Sequence, residues 1–155
     1  CMGNICRSPM AEGVLRLRLS ERAPERKVLV DSAGTHGYHA GSPPDPRAQT
    51  AAGRRGVPIE QLRARRVELE DFEIFDLLLA MDLENLAHLH ELAPQGQAHK
   101  ARLLLEYSVE RRGGEVPDPY YGGETGFERV LDMLEEAMDG LLPEIERLTR
   151  GSRSP

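Results

Sequence analysis

An α/β fold with a parallel sheet flanked by helices on both faces is what this sequence predicts. Two observations carry that expectation. Short β-rich apolar runs alternate with longer runs at helical spacing, the order that yields crossover connections and a doubly covered parallel sheet. The chain has 155 residues, 39% hydrophobic and 30% charged, which suits one soluble domain with a full core.

Taken in order, Met10, Ala11, Val14, Leu15 and Leu19 recur at helical spacing and predict a helix from Ser8 to about Arg22. Ser8 is its expected N-cap, with Pro9 in the first turn, where a missing N–H is tolerated. Val28-Leu29-Val30 reads as a short buried strand. Asp45 caps and Pro46 opens a second helix, to about Gly53. Leu77-Leu78-Leu79-Ala80 is the next strand, and Asp82 caps a helix through Leu83, Leu86, Leu89 and Leu92 that Pro94 ends. Arg102 to Leu105 is a third strand.

Residues 106–126 form a Gly- and Pro-rich loop, of a length that is usually functional or disordered. A last helix carries Phe127, Val130, Leu131, Leu134, Met138, Leu141, Leu142, Ile145 and Leu148 on one face, and Pro143 should kink or break it. Residues 1–150 are expected as one domain and 151–155 as a flexible tail. The chain opens at Cys1 without an initiator Met, and a further strand is expected directly upstream of it. Without that strand the sheet lacks its centre. Ligands of such sheets bind beyond the carboxyl ends of the strands.

The formal net charge of −6 argues against a general nucleic-acid binder, and no apolar run is long enough to span a membrane. Cys1 and Cys6 are too few for a disulfide framework or a structural zinc site, so reduced thiols and a cytoplasmic setting are expected. His36, His39, His88, His90 and His99 show no metal spacing and read as surface residues.

The chemistry-bearing segment is Cys1-Met2-Gly3-Asn4-Ile5-Cys6-Arg7-Ser8-Pro9, directly before a helix. The bare Cys-x5-Arg pattern is weak evidence, but its neighbours strengthen it. Gly3 lets the backbone turn towards a ligand, and Asn4 tolerates left-handed backbone and can bond the loop to itself. Ser8 can bond a thiolate or cap the helix. Together these residues describe a loop whose N–H groups face an anion above a helix N-terminus. Such a site stabilises Cys1 as the thiolate nucleophile, and the Arg7 guanidinium can fork onto two phosphate oxygens. Attack gives a phosphocysteine that water hydrolyses, with no metal or cofactor required.

A departing alkoxide or phenolate needs a proton. Asp118, between Pro117 and Pro119 in the long loop, is the best donor, although taken in isolation a Pro-flanked turn Asp is the commoner explanation of it. Asp45, also followed by Pro, is already explained as a helix cap. Tyr38, Tyr120 and Tyr121 lie in loop-like segments and can wall a pocket for a flat ring or simply pack on the surface.

At this point a resemblance enters. The segment from Cys1 to Glu12 resembles the signature loop of the low-molecular-weight protein tyrosine phosphatases, and Asp118-Pro119-Tyr120-Tyr121 resembles that family's acid loop. Asp31-Ser32-Ala33-Gly34-Thr35 and Pro44-Asp45-Pro46-Arg47 are also similar to family segments. The resemblance implies a four-stranded parallel sheet, a phosphate-binding loop after the first strand and phosphotyrosine hydrolysis. It implies Cys1 as nucleophile, Arg7 as phosphate ligand and Asp118 as acid, with residues Met2 to Ser8 around the phosphate. Asn4, Ser8 and Ser32 match the polar network that shapes the loop and favours the thiolate. Met2, Ile5, Tyr38, Tyr120 and Tyr121 match the pocket walls, and Cys6 matches a cysteine able to form a protective disulfide with the nucleophile.

The implied partner is a phosphotyrosine-containing protein or peptide, with no nucleic acid or membrane and with the chain a monomer or weak dimer. Many relatives carry a supporting His where Leu62 stands here. Three other readings stay open. A phosphoarginine phosphatase tends to have Thr at the position of Ile5, an arsenate reductase of this fold needs further cysteines, and a redox module would use only the Cys1–Cys6 pair.

Overall fold

The computed structural model describes residues 1–122 and 124–151, with the side chains of Tyr121, Glu124 and Gly151 outside that description. The expected tail beyond residue 151 therefore lies outside the described residues. In chain order the elements are helix α1 (Arg7–Arg22), α2 (Pro46–Gly53), α3 (Asp71–Ile74), strand β1 (Leu78–Ala80), α4 (Leu83–Leu92), β2 (Ala101–Leu103) and α5 (Glu124–Gly151). Turns of 3-10 helix occur at Ala98–Lys100, Leu104–Tyr107 and Pro119–Tyr121.

Strands β1 and β2 pair in parallel, with Leu78 opposite Ala101, Leu79 opposite Arg102 and Ala80 opposite Leu103. Side chains of a strand alternate between faces, and the core divides accordingly. Leu78, Ala80, Ala101 and Leu103 pack with Phe72 and Leu89 against α3 and α4. Leu77 and Leu79 point into the larger core with Met10 and Val14 of α1, Ala48 and Ala52 of α2, and Phe127, Leu131, Leu134 and Leu141 of α5. Helices thus cover both faces, as the alternation of runs predicts.

Two caps follow the sequence reading. The Asp45 side chain accepts from the Arg47 N–H at the start of α2, and Asp82 accepts from the Asn85 N–H at the start of α4. Each satisfies a backbone donor that the first turn leaves without a partner.

Other expectations need correction. Val28-Leu29-Val30 forms no strand: no ladder partner runs beside it among the described residues, and Leu29 is 67% exposed. A cavity of about 310 Å³ lies behind it, lined by Val28, Val30, Leu77, Leu79, Met138 and Leu141 among others. The nearest ladder contact is a single parallel bridge between Gly34 and Arg66. The third strand ends at Leu103, two residues early, because Leu104–Tyr107 coil into a 3-10 turn against α5. That contact is tight: a Cβ on Gly140 would lie 1.8 Å from the Tyr107 carbonyl oxygen.

The expected loop over 106–126 is interrupted by the turn at Pro119–Tyr121, and α5 already begins at Glu124. Helix α5 also runs unbroken through Pro143. Proline costs about 3 kcal/mol inside a helix, and burial of Leu141 and Ile145 on either side of it holds the helix in place. Ser8 is not a cap, since α1 begins at Arg7 with no side-chain cap bond and the Ser8 hydroxyl is engaged elsewhere.

Candidate active site

Residues 1–6 form a loop that feeds α1, and three other segments tie it down. The Thr35 and His36 N–H groups donate to the carbonyls of Cys1 and Met2 at 2.9 Å each. The Asp45 N–H donates to the Ile5 carbonyl at 2.8 Å, and the Arg65 N–H donates to Asn4 Oδ1 at 3.0 Å. Asn4 has a positive φ of 60°, a left-handed conformation that asparagine tolerates better than most residues. Gly34 must be glycine for the loop to sit so close, because a Cβ there would lie 2.6 Å from the Met2 carbonyl oxygen.

Inside the loop runs a chain of polar side chains. Asn4 Nδ2 donates to Ser8 Oγ at 3.0 Å and to Ser32 Oγ at 3.1 Å, and Ser32 Oγ donates to Glu12 Oε1 at 2.8 Å. Ser8 Oγ lies 2.8 Å from Cys1 Sγ. Since Asn4 already donates to the Ser8 oxygen, the hydroxyl proton is available to the sulfur, and such a bond favours the thiolate. No described residue accepts a hydrogen bond from the backbone N–H of Gly3, Asn4, Ile5, Cys6, Arg7 or Ser8. Unpaired N–H groups ahead of a helix are what an anion requires.

Arg7 is 2% exposed and reaches three acceptors. Nη1 donates to Asp82 Oδ2 at 2.7 Å and to the Val116 carbonyl at 2.9 Å, and Nη2 lies 3.6 Å from Asp118 Oδ2. Burial disfavours the ionised Asp82 carboxylate, but the Arg7 bond and the Asn85 N–H outweigh it and hold its pKa below the ordinary value. Asp118 is exposed, and its Oδ1 accepts from the Tyr120 N–H at 3.0 Å.

Cys6 is buried beside this chemistry. Burial first, then the Asp45 and Asp118 charges, push its thiol up to about 12. Both cysteines are free thiols, so the Cys1–Cys6 disulfide is not formed in this state.

Around the opening, Met2 and Ile5 are half-buried, while Tyr38 is 82% exposed with its ring 5.3 Å from that of His36. The His36 ring in turn lies 6.2 Å from that of His88 of α4, edge to face. Tyr120 is exposed beneath the Arg47 guanidinium, 5.4 Å from ring centroid to Cζ. The Tyr121 side chain, the remaining expected wall, is outside the described residues. No group of three metal-ligating side chains occurs among the described residues, nor any helix long and apolar enough to cross a membrane.

Comparison with known proteins places this loop and helix set. The family model for low molecular weight phosphotyrosine protein phosphatase matches residues 1–151. The chain belongs to that family. It is 43% identical over 154 residues to a low molecular weight protein-tyrosine-phosphatase of Streptomyces coelicolor, covering 97% of this chain and 93% of that one. It is 41% identical over 131 residues to the human low molecular weight phosphotyrosine protein phosphatase, covering 84% of this chain and 82% of that one. The crystal structure of a protein tyrosine phosphatase from Entamoeba histolytica, with Hepes in its active site, matches at a TM-score of 0.90 and 39% identity, covering 95% and 94% of the two chains.

Members of this phosphatase family are hydrolases, so the chain is a protein-tyrosine-phosphatase by family. Three residues at its site escaped the sequence reading. Glu12 ends the polar chain, with Arg16 Nε donating to its second oxygen at 2.8 Å. The sequence marks Asp82 only as a helix cap and Arg47 only as part of a family-like segment. Leu62 packs against the core and supplies no polar support, whereas the Arg65 N–H and Glu12 do brace the loop.

Proposed function

We propose that this phosphatase hydrolyses phosphotyrosine in proteins through a phosphocysteine intermediate. The observation that carries the reading is the Cys1 sulfur 2.8 Å from Ser8 Oγ, at the head of a loop whose N–H groups meet no acceptor among the described residues. The Cys1 thiolate attacks phosphorus, and an S–P bond forms as the P–O bond to the tyrosine breaks. Asp118 gives its proton to the departing phenolate oxygen. The Asp118 carboxylate then takes a proton from water as that water attacks the phosphocysteine. The S–P bond breaks, releasing inorganic phosphate and the thiolate.

Arg7 binds the equatorial oxygens through the donors that Asp82 and Val116 leave unused, and strengthens as charge spreads in the transition state. Met2, Ile5, Tyr38 and Tyr120 wall the ring, and Cys6 serves as a redox partner for Cys1. The four-stranded sheet belongs to this reading as well. An extended segment in the cavity between residues 28–32 and β1 would give Val28–Val30 a ladder partner.

Initial-rate phosphate release from a phosphotyrosine peptide in the presence of EDTA tests the reading, with phosphoarginine as competitor. The half-buried, apolar Ile5 suits an aromatic ester, so phosphotyrosine is expected to turn over faster, unaffected by the chelator. A clear preference for phosphoarginine would overturn the substrate assignment.

A further inference from the structure

We infer that Arg47 is a positioning residue that fixes the acid loop relative to the phosphate loop, an inference that rests on Asp118 being the general acid. The Arg47 guanidinium links the start of α2 to the backbone that follows Asp118. Nη2 donates to the Tyr120 carbonyl at 3.0 Å and Nη1 to the Gly122 carbonyl at 3.2 Å. These carbonyls lie two and four residues after Asp118, and Tyr120, whose carbonyl Arg47 holds, donates its own backbone N–H to Asp118 Oδ1 at 3.0 Å. The orientation of the acid is thereby tied to the guanidinium.

The other edge of Arg47 is fixed by Asp45, with Nε to Oδ1 at 3.1 Å and Nη2 to Oδ2 at 3.0 Å. Asp45 is in turn bonded through its N–H to the Ile5 carbonyl of the phosphate loop at 2.8 Å. The path Ile5–Asp45–Arg47–Tyr120–Asp118 therefore joins nucleophile loop and acid by consecutive hydrogen bonds. The guanidinium also lies over the rings of Tyr120 and Phe127, with Cζ 5.4 and 5.0 Å from their centroids.

The Arg47 side chain is 41% exposed, so solvent screens its charge. What it supplies is the rigid planar fork, which lysine lacks. A surface clip that merely anchors α2 would show the same contacts with the carboxylate but no coupling to the acid.

The test is a double-mutant cycle of Arg47→Met and Asp118→Ala, reading kcat/KM for phosphotyrosine and for p-nitrophenyl phosphate. Circular dichroism establishes folding, and Met keeps the stem over Phe127. Arg47→Met is expected to lower kcat/KM for phosphotyrosine about tenfold or more. The loss is expected to be clearly smaller for p-nitrophenyl phosphate, whose leaving group needs less protonation. On the Asp118→Ala background it is expected to change kcat/KM by less than about twofold.

Equal losses for both esters, or an undiminished loss on the Asp118→Ala background, would overturn the inference and leave the acid assignment standing. Wild-type kcat/KM in Asp118→Ala alone would instead sink the acid assignment. Arg47→Lys, which keeps charge and stem but cannot bridge both carbonyls, should show the same pattern more weakly and replaces Met if that variant does not fold.

Discussion

In the loop of residues 1–8, Asn4, Cys6, Arg7 and Ser8 are buried, bonds from residues 35–36 and 45 hold the backbone, and the Arg65 N–H holds the Asn4 side chain. In the segment around Asp118, Pro117, Asp118 and Tyr120 are exposed while Pro119 between them is buried. Val116 is fully buried, with its N–H on the Met81 carbonyl at 2.8 Å, and Arg47 grips the far end. The contrast fits what the proposed reaction asks of each loop. Donors aimed at an anion gain from being fixed before the substrate arrives. A group that exchanges protons with an ester and then with water has to stay accessible. Arg7 joins the two regions, since one guanidinium contacts Val116, Asp82 and Asp118.

Cutting that link should have the largest effect. Arg7→Lys keeps a positive charge but loses the fork, and kcat/KM for phosphotyrosine is expected to fall about 10²–10³-fold. Steady-state kinetics check this; a loss below about threefold would mean that charge alone suffices there.

A smaller effect sharpens the picture of the buried loop. The Cys6 thiol is raised from 9.0 to about 12 by burial and the neighbouring carboxylates, so it holds its proton in the folded state where the unfolded chain has lost it. Stability should therefore be unaffected below pH 9 and fall as pH rises towards about 12. Thermal melts across that range should fall more steeply for wild type than for Cys6→Ala. Parallel curves would place the Cys6 thiol in ordinary contact with solvent.

What the sequence makes legible is local. The Asp45 and Asp82 caps rest on bonds spanning two or three residues, and the Cys-to-Arg loop is one continuous segment. What it hides is pairing across long separations. Asp82 meets Arg7 across 75 residues, Arg47 meets Tyr120 across 73, and Glu12 meets Ser32 across 20. Nothing in the local pattern around any of these marks its partner. Val28–Val30 shows the same limit from the other side, since β propensity is satisfied only by a neighbouring strand. Pro143 shows tertiary burial overriding a local rule.

The most direct test of the account is to mix the protein with a phosphotyrosine peptide, quench in acid on the millisecond scale and map the phosphoryl group by mass spectrometry. The account predicts phosphate on Cys1 in wild type, together with loss of both label and turnover in Cys1→Ser. Phosphate release from the Cys1→Ser variant at the wild-type rate would contradict it.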